Sequence, residues 1–552
     1  MKNKFIYKDK QIKKWSIISF FIIVIITGIN LLPPLIMKRT IDEYIPSKDY
    51  KNIIFGIILF VSIPFINILL QTIFNYLTIK FARNKGNEIS IEITKNLMDQ
   101  KITFFDTNNS IELLTYASKE AVQYVNFYVS ILPKYYASII ILIFIYAIIF
   151  SISWKLAIIQ ILFIPLAFYP VNKISDSISE NIEVAISSNA KIAQIRADIF
   201  KGIELIKAYR LEHQKLDEVK KENLKIVSIW GKVAAFDSLT GIWVSGFLKA
   251  LFTGLTFGVG AYIISSSSGV SLSIGSLIQI IGLVSYLYAT VDEVFRSRID
   301  LAKENAEFKE MLSYLYLKGE SSENDSREFK FEDTISINNL SFSYKDRKVL
   351  NNLSFEIKKG HWTALVGESG AGKTTIIDLL LKFYDYDDGE ILVDGVDLSE
   401  ISRFSIRDEI TKVSQDLFFF PGSIRDNLMI VKKDLRDEDI NEAIRLSCLD
   451  NFIEKLENGL DTDIGEAGKM MSGGEKNRLA FARALLRGKS VYLLDELTAN
   501  LDKKTENILK ENIKRLVSEK NITVLSISHN MNFLEYCDSV YELKDGKALK
   551  IK

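Results

Sequence analysis

Long apolar runs in the first 300 residues limit what this chain can fold into. About 20 apolar residues in a helix cross the hydrocarbon core of a bilayer. Inside a bilayer only helices and closed barrels satisfy every backbone polar group. The sequence therefore predicts an all-α transmembrane domain with six helices. The candidate spans are residues 15–37, 53–79, 128–152, 154–169, 239–264 and 274–290.

The first apolar run could instead belong to a signal peptide. Residues 1–14 carry six lysines and one aspartate, which is the positive lead that a signal peptide has. The run that follows is longer than a signal peptide's apolar core, and no small-residue cleavage site follows it. We therefore interpret residues 15–37 as a retained membrane helix.

The connections between the spans predict the topology. The spans form three pairs with short connections inside each pair, and residues 265–273 carry no charge. The connections between pairs, residues 80–126 and 171–237, are long and rich in lysine. The positive-inside rule makes them cytoplasmic, together with the N-terminus and the C-terminal half. Each has too few apolar residues for its own core, so we expect them to extend the membrane helices rather than form separate domains.

Lys249 lies within the fifth span, where a charge facing lipid would be costly. We expect its side chain to face the protein interior or a water-filled cavity. Two roles stay open at this point. Lys249 could contact an anionic group of a transported molecule, or it could pair with a carboxylate or carbonyl for purely structural reasons.

Composition changes sharply along the chain and predicts its domains. Residues 1–315 form the transmembrane domain, residues 316–329 a polar linker, and residues 330–552 a charged domain with short apolar runs. The 69 basic and 69 acidic residues cancel, which argues against nucleic acid as a partner. Cys448 and Cys537 are the only cysteines, so we expect no disulfide framework and a reducing compartment for this half.

Residues 367–374 match the phosphate-binding loop pattern GxxxxGK[ST]. An apolar run of strand type, residues 362–366, precedes the loop, and a segment with helical spacing follows it. Glycines let successive backbone N–H groups turn toward one phosphate, and the helix adds its positive end. Lys373 then supplies a charge for the β- and γ-phosphates, and the Thr374 hydroxyl can coordinate Mg²⁺.

Two carboxylates follow a buried strand at residues 491–494. Ligands collect at the carboxyl ends of strands in an open α/β sheet. One of these carboxylates, Asp495 or Glu496, is therefore predicted to hold Mg²⁺, and the other to polarise the water that attacks the γ-phosphate. Alternating strands and helices around them predict an α/β P-loop NTPase domain.

Ser472, Gly473, Gly474 and Glu475 open a helix that ends in Ala-Arg-Ala-Leu-Leu at residues 482–486. This segment resembles the signature of the ATP-binding cassette (ABC) transporters, in particular the exporter class. The resemblance implies ATP as the nucleotide. It also implies a head-to-tail dimer with a second half-transporter, in which one chain's signature closes over ATP held by the other chain's phosphate-binding loop.

The resemblance also implies roles for single residues. Tyr344 looks like the aromatic residue that stacks on adenine, Gln415 like the glutamine that touches Mg²⁺, and His529 like the histidine that contacts the γ-phosphate. Asp502 falls in the loop that passes between cassettes. The residues assigned to ATP are Tyr344, Gly367, Glu368, Ser369, Gly370, Ala371, Gly372, Lys373, Thr374, Thr375, Gln415, Ser472, Gly473, Gly474 and Asp502. The metal residues are Thr374, Gln415 and Asp495, and the catalytic residues are Glu496 and His529.

In the first half of the chain, residues 104–106 and 202–212 resemble the cytoplasmic loops of exporters. The resemblance places coupling helices near residues 107–113 and 198–203. Glu475 stands where the family usually has glutamine, and its carboxylate would repel phosphate unless it turns toward the helix backbone. The chain ends at Lys552, so we expect less support for dimer closure than a C-terminal helical extension gives.

The sequence thus predicts a half-transporter in the cell membrane with both termini in the cytoplasm. It would use ATP and Mg²⁺, contact membrane lipid, and export a hydrophobic compound or a peptide by alternating access as a dimer. The alternative is a membrane-bound ATPase that acts as a sensor or immunity factor and moves no cargo. Homodimer and heterodimer both stay open. No peptidase domain precedes the first span, which argues against an exporter that cleaves leader peptides.

Overall fold

The computed structural model describes residues 9–108, 113, 120–266, 272–320, 327–345, 347–465, 468–528 and 535–552. The chain divides into two compact units. The membrane unit comprises Met1–Gln100 and Thr107–Gly319, and the cassette unit comprises Lys101–Asp106 and Glu320–Lys552. The predicted boundaries of the domains and linker stay a proposal.

The described part of the membrane unit is almost entirely helical. Its helices are α1 (Lys10–Ile29), α2 (Leu32–Arg39), α3 (Tyr50–Met98), α5 (Ala121–Asn126), α6 (Leu132–Ile152), α7 (Trp154–Lys201), α8 (Ile203–Tyr209), α9 (Glu212–Gly241), α10 (Lys249–Ser265) and α11 (Ile274–Leu315). Helix α4 (Ile102–Thr107) lies mainly in the cassette unit. Short π-helical segments at Thr40–Tyr44, Phe127–Ile131 and Ile242–Leu248 connect neighbouring helices.

Within the described residues, five helical stretches are long and apolar enough to cross a membrane. They are Lys10–Tyr44, Tyr50–Met98, Ala121–Ile152, Ile242–Ser265 and Ile274–Ser297. The predicted fourth span, residues 154–169, lies at the start of α7, where the apolar helical part, Trp154–Ala167, is shorter. Helices α3 and α7 run on for 49 and 48 residues, so the long connections do extend the membrane helices.

The core of the membrane unit is apolar but contains a small polar network. Gln160 donates to the Thr256 hydroxyl at 2.6 Å and accepts from the Tyr288 hydroxyl at 2.8 Å. The Tyr146 hydroxyl donates to the Gln160 backbone carbonyl at 2.6 Å. Because buried polar groups are costly unless paired, this network fixes how α6, α7, α10 and α11 pack together.

Two sheets form the framework of the cassette unit. The first has six strands in the order β10-β9-β3-β8-β7-β6, with β10 as the only antiparallel member. The second is antiparallel with the order β2-β1-β4-β5. The strands are β1 (Thr334–Tyr344), β2 (Arg347–Lys358), β3 (Trp362–Gly367), β4 (Asp388–Val393), β5 (Val396–Asp397), β6 (Ile410–Val413), β7 (Val491–Asp495), β8 (Thr523–Ile527), β9 (Ser539–Lys544) and β10 (Lys547–Lys550).

Alternation along the parallel strands creates two apolar cores, one on each face of the six-stranded sheet. On β7, Tyr492 and Leu494 belong to one core, and Val491 and Leu493 belong to the other. Helices cover both faces, as a parallel sheet requires. They are α12 (Lys373–Leu380), α13 (Arg403–Glu409), α14 (Ile424–Met429), α15 (Asp437–Leu446), α16 (Asp450–Ile453), α17 (Gly473–Arg487) and α18 (Lys503–Lys520). The predicted fold class, a helical transmembrane domain followed by an α/β P-loop domain, is confirmed.

One short segment from the first half of the sequence packs within the cassette unit. Residues 101–106 include most of α4, and the Tyr384 hydroxyl donates to the Asp106 carboxylate at 2.9 Å. Lys101 lies 3.1 Å from a carboxylate oxygen of Asp385. This segment precedes the predicted first coupling helix at residues 107–113, most of which lies outside the described residues. The second predicted range, residues 198–203, contains the end of α7, Gly202 and the start of α8.

The cassette unit begins with a buried carboxylate. Glu320 is 7% exposed, and the Arg407 guanidinium donates to its two carboxylate oxygens at 2.6 and 3.1 Å. Arg403, 5% exposed, lies 3.5 Å from the same carboxylate. Bidentate pairing of this kind is geometrically specific, so Glu320 is held firmly against α13.

Candidate nucleotide site

The phosphate-binding loop connects the buried strand β3 to helix α12. Gly367 has φ of +145° and Gly372 has φ of +94°. Residues with a side chain rarely adopt these backbone conformations. A Cβ at Gly367 would collide with the Leu543 carbonyl oxygen, and one at Gly372 would lie 2.7 Å from Leu350 Cδ2. The loop can therefore form its tight turn only with glycine at these two positions.

Lys373 is the cation of the loop. Its side chain is 5% exposed, and its Nζ donates to the carbonyl oxygens of Gly367 at 2.9 Å and Glu368 at 2.7 Å. Burial lowers the pKa of Lys373, while the charges of Glu496 and Asp495 act in the opposite direction. The loop thus holds its ammonium group with backbone oxygens, which a phosphate group can replace.

Asp495 ends strand β7 at the edge where the loop lies. The Thr374 hydroxyl donates to Asp495 Oδ2 at 2.9 Å, so the two predicted metal residues are in direct contact. Asp495 is 2% exposed, and burial raises its pKa against the opposing effects of Thr374 and Lys412. A buried carboxylate with a raised pKa gains from a nearby cation, because the cation offsets the cost of its charge.

Glu496 follows Asp495 in a strained backbone conformation, with φ of +51°. Its backbone N–H donates to the Ile527 carbonyl at 3.2 Å, which fixes the turn at the end of β7. The Gln415 side chain donates to Glu496 Oε2 at 3.0 Å. The structure therefore brings together the predicted water-activating carboxylate and the predicted metal-binding glutamine. Strain of this kind persists where surrounding contacts hold it, as at many active sites.

The signature segment forms the N-terminus of α17. Ser472 caps the helix: the Glu475 N–H donates to the Ser472 hydroxyl at 3.4 Å, and the Ser472 N–H donates to the Glu475 carboxylate at 2.8 Å. The Glu475 carboxylate thus turns toward the helix backbone, which is the condition stated for tolerating it in the signature. Gly474 packs closely on the chain that follows β7, since a Cβ there would lie 2.8 Å from the Asn500 carbonyl oxygen.

The remaining predicted residues fall in three places. Tyr344 is 37% exposed. Partial burial raises its pKa, and its hydroxyl hydrogen-bonds the side chain of Thr375 at the start of α12. Asp502 caps α18, accepting from the N–H groups of Lys504 and Thr505 at 3.1 and 3.0 Å. His529 lies outside the described residues.

Sequence reasoning missed one charged pair beside the site. Lys412 on β6 lies 2.6 Å from an oxygen of Asp378 on α12, and its charge also acts on Asp495. The two residues are 34 positions apart, and only the adjacency of β6 and β7 brings them to Asp495. No local motif could have indicated the pair.

The side chains at this site are suited to bind a Mg²⁺ ion together with a nucleotide. Thr374, Asp495 and Gln415 offer a hydroxyl, a carboxylate and an amide, which are the oxygen donors that Mg²⁺ prefers. The described residues contain no group of three or more His, Cys, Asp or Glu suited to hold a metal ion. Phosphate oxygens of a bound nucleotide usually complete the coordination of Mg²⁺ at sites with few protein ligands.

Comparison with known proteins identifies both units. The family model described as ABC transporter transmembrane region matches residues 16–291, and the family model described as ABC transporter matches residues 350–499. Among curated relatives, the ATP-dependent lipid A-core flippase of Haemophilus ducreyi is 28% identical, over 97% of this chain and 92% of that protein. The heterocyst differentiation ATP-binding protein HepA of a Nostoc species is 29% identical, over 73% of this chain and 66% of that protein.

A solved structure has the same fold. A bacterial Atm1-family ABC exporter with ATP bound superposes with a TM-score of 0.85, covering 98% of this chain and 95% of the exporter, at 21% identity. The transmembrane match alone covers half of the chain, and the ATPase match covers the phosphate-binding loop, the signature and Asp495. The chain therefore belongs to the ABC transporter family, as an ATP hydrolase coupled to transport that joins an exporter-type transmembrane region to its own ATP-binding domain.

Proposed function

We propose that this chain is one half of a dimeric exporter that moves an amphipathic cargo with an anionic group out of the cell. ATP-driven export is what its family membership and exporter relatives support. The dimer, the roles of single residues and the class of cargo are parts of the proposal. The observation that carries the proposal is the contact between Thr374 and Asp495 beside Glu496 and Gln415, which is a site organised for phosphoryl transfer.

In the proposed reaction, the loop N–H groups and Lys373 bind the β- and γ-phosphates, and Tyr344 stacks on adenine. Thr374, Asp495 and Gln415 would hold Mg²⁺, which supplies charge neutralisation for the developing negative charge. Glu496 accepts a proton from water as the water oxygen attacks the γ-phosphorus, while the bond from that phosphorus to the β–γ bridging oxygen breaks and ADP leaves with this oxygen. Its hydrogen bond from Gln415 keeps the carboxylate turned toward that water. His529 completes the proposed set by contacting the γ-phosphate.

The dimer follows from the position of the signature. Ser472, Gly473 and Gly474 begin α17, whose N-terminus is a natural anion site. This N-terminus packs on residues 500–501, beyond Asp495 and Glu496. We propose that it binds the γ-phosphate of ATP held by a second half-transporter, with Asp502 in the loop between the two cassettes. Binding of ATP would then close the dimer, and hydrolysis would open it again.

The position of Lys249 favours a cargo that carries an anionic group. Its side chain is exposed on this chain, so it does not face the interior of the described bundle. The exposed aromatic and aliphatic side chains of Trp243, Phe247 and Leu251 surround it in the sequence. Because a charge facing lipid is costly, we propose that this face of the span lines a water-filled path. The apolar body of such a cargo would pack on Trp243 and Phe247, and its anionic group would pair with the Lys249 ammonium group.

We propose further that the protein lies in the cell membrane with both termini in the cytoplasm, as the lysine-rich connections indicate. ATP then binds on the cytoplasmic side, and cargo enters there or from the inner leaflet. The lipid A-core flippases among the relatives are named for a lipid cargo, which favours an amphipathic compound over a peptide.

The deciding experiment measures ATP hydrolysis by the purified chain reconstituted in liposomes. An anionic amphiphile, a neutral amphiphile of equal chain length and an apolar peptide are added in turn, and movement of the labelled compound is followed in parallel. We expect stimulation and movement for the anionic amphiphile, and weaker stimulation in Lys249→Gln than in Lys249→Arg. Hydrolysis without movement of any compound would contradict export and favour a sensor or immunity role. Folded protein without any hydrolysis would contradict a homodimer and require a different second half.

A further inference from the structure

A second pocket in the cassette unit lies away from the loop that binds phosphate. It has a volume of about 530 Å³ and opens between α15–α16, the signature helix α17 and α18. Ligand pockets for small molecules have volumes of this size. The proposed nucleotide residues at the ends of β3 and β7 are not among those that line it. The pocket therefore needs its own explanation.

Basic side chains dominate the walls of this pocket. They lie on α15, just after α16, on α17 and on α18, and comprise Arg445, Lys455, Arg478, Lys504 and Arg515. The acidic side chains in the wall are Asp450 and Glu475, so the lining carries five positive charges against two negative ones. Glu475 is also occupied, since its carboxylate accepts the N–H of Ser472 at 2.8 Å. The field inside the pocket is thus positive.

The five cations are not neutralised within the part of the chain that the structure describes. None of them forms an ion pair or a side-chain hydrogen bond with another described residue. The Nε of Arg478 is buried and has no hydrogen-bond partner in this part of the protein. A buried donor is rarely left unpaired, so an acceptor group that enters the pocket could pair with it.

A neighbouring pocket shows that this pattern is not general for the cassette surface. That pocket has a volume of about 710 Å³ and is also lined by many charged residues. There the charges pair: Arg436 lies 2.9 Å from Asp439, and Lys520 lies 3.0 Å from Glu442. Charged side chains that only solvate the surface can form such pairs. The unpaired cations of the first pocket instead suit a ligand that brings its own negative charge.

We propose that this pocket binds a small multivalent anion of the phosphate class, as a regulatory site separate from the ATP site. The ring of Phe452 and the side chain of Ile508 add an apolar wall beside the charges, which suits a phosphate group carried on a small organic body. An anion held by Arg445 on α15, Arg478 on α17 and Arg515 on α18 ties the signature helix to α18. It thereby limits how far the signature can move during ATP hydrolysis.

Cys448 gives a direct readout of occupancy. It lines the pocket and is partly buried, whereas Cys537, the other cysteine, is 2% exposed and lies outside the pocket. Burial raises the pKa of the Cys448 thiol, so alkylation should be followed above neutral pH. The experiment measures alkylation of both cysteines by mass spectrometry in the full chain in lipid discs, with inorganic pyrophosphate as the probe and EDTA present. A Lys373→Ala background removes binding at the phosphate-binding loop.

We expect pyrophosphate to slow alkylation of Cys448 by about fivefold or more and to leave Cys537 unchanged. The double variant Arg445→Gln/Arg515→Gln should need at least about tenfold more pyrophosphate, because two charge-assisted contacts are lost. The matched control, Lys433→Gln/Lys547→Gln, removes two exposed cations elsewhere and should stay within about twofold. If the Arg445→Gln/Arg515→Gln variant does not fold, the variant Lys455→Gln/Lys504→Gln removes two other cations of the pocket and should also need more pyrophosphate to protect Cys448.

Added salt should weaken the protection, since exposed charges are screened. Parallel titrations with AMP and with pyrophosphate distinguish a nucleotide from a free phosphate compound, and protection by either supports the site. An unchanged rate for Cys448 with both probes would overturn the proposal. Equal protection in the wild-type chain and in the Arg445→Gln/Arg515→Gln variant would also overturn it. Neither result bears on export, because the assay needs no transport.

Discussion

The cassette unit and the membrane unit differ in how their important residues are specified. In the cassette unit, short motifs at the ends of β3 and β7 bring Thr374 and Asp495 into contact at 2.9 Å. In the membrane unit, apolar runs determine the helices, but the contacts inside the bundle depend on isolated residues such as Gln160. Chemistry that is common to a family is therefore local in sequence, while packing, and the cargo path that packing shapes, is not.

The largest effect should come from Glu496, the carboxylate that we propose activates water. Glu496→Gln keeps the hydrogen-bonding shape of the side chain but removes the proton acceptor. We expect ATP hydrolysis to fall by about 10²–10⁴-fold while ATP still binds. Steady-state hydrolysis and nucleotide binding in the same preparation check this. The matched control is Glu475→Gln, which restores the family's usual residue in the signature and should retain activity. Near-normal hydrolysis by Glu496→Gln would contradict its role.

The second prediction is that one substitution, Asp495→Asn, changes activity and stability in opposite directions. Burial raises the pKa of Asp495, so the folded state disfavours its charged form. The charge then costs stability above the folded-state pKa, and this cost disappears as the pH falls below the unfolded-state pKa. Asp495→Asn should therefore raise the unfolding temperature of the nucleotide-free protein at neutral pH. The same change should lower hydrolysis by about 10²-fold or more, because it removes the carboxylate that we propose as a Mg²⁺ ligand.

Thermal unfolding without nucleotide, at neutral and at mildly acidic pH, tests this second prediction. The stabilisation by Asp495→Asn should shrink at the lower pH, where the wild-type carboxyl is protonated. A variant that is less stable than wild type at neutral pH would show that Asp495 has a structural role instead.

Ion pairs allow a comparison of buried and exposed electrostatics inside the cassette unit. Glu320→Ala leaves Arg403, 5% exposed, without its buried carboxylate. Breaking a buried pair by removing one partner costs about 3–5 kcal/mol. The control is Arg327→Ala, which breaks the exposed pair with Glu400 at 3.0 Å and should cost about 0–1 kcal/mol. Denaturant unfolding of the cassette unit in the full chain measures both, and equal costs would contradict the burial argument.

The smallest effect concerns the segment of residues 101–106. Tyr384→Phe removes only the hydroxyl that donates to Asp106 at 2.9 Å. A single hydrogen bond of this kind contributes about 0.5–1.5 kcal/mol. We expect basal ATP hydrolysis to stay within about twofold and stimulation by cargo to fall by severalfold. Phe418→Leu, at an exposed aromatic without this contact, serves as the control. Unchanged stimulation in Tyr384→Phe would exclude a role for this bond in coupling.

In the cassette unit, the sequence predicted the local motifs but not the contacts between residues that are distant in sequence. The phosphate-binding loop, the signature and the two carboxylates were predictable because each is a short motif at the end of a strand or the start of a helix. The capping role of Glu475 was foreseen as a condition, because a carboxylate at that position has few other acceptable orientations. The pair Lys412–Asp378 and the contact of Asp106 with Tyr384 join residues 34 and 278 positions apart. Such contacts depend on sheet order and packing, which no local pattern contains.

In the membrane unit, the sequence predicted the positions of the helices but not their local geometry. Hydropathy predicted where helices lie, and α3 and α7 continue beyond their apolar runs as the patterning indicated. It did not predict the π-helical segment Ile242–Leu248 just before Lys249. Hydropathy reports only the mean character of a run. A change in hydrogen-bond spacing, which rotates the residues that follow, leaves that mean unchanged.

The division of the chain into units has a mechanical consequence. Because Lys101–Asp106 belongs to the cassette unit and the residues on both sides belong to the membrane unit, the chain passes between the units at three points rather than one. Residues 101–106 are held in the cassette unit by their own contacts, such as that between Asp106 and Tyr384. We therefore expect a chain cut within the predicted linker, residues 316–329, to keep these residues packed in that unit.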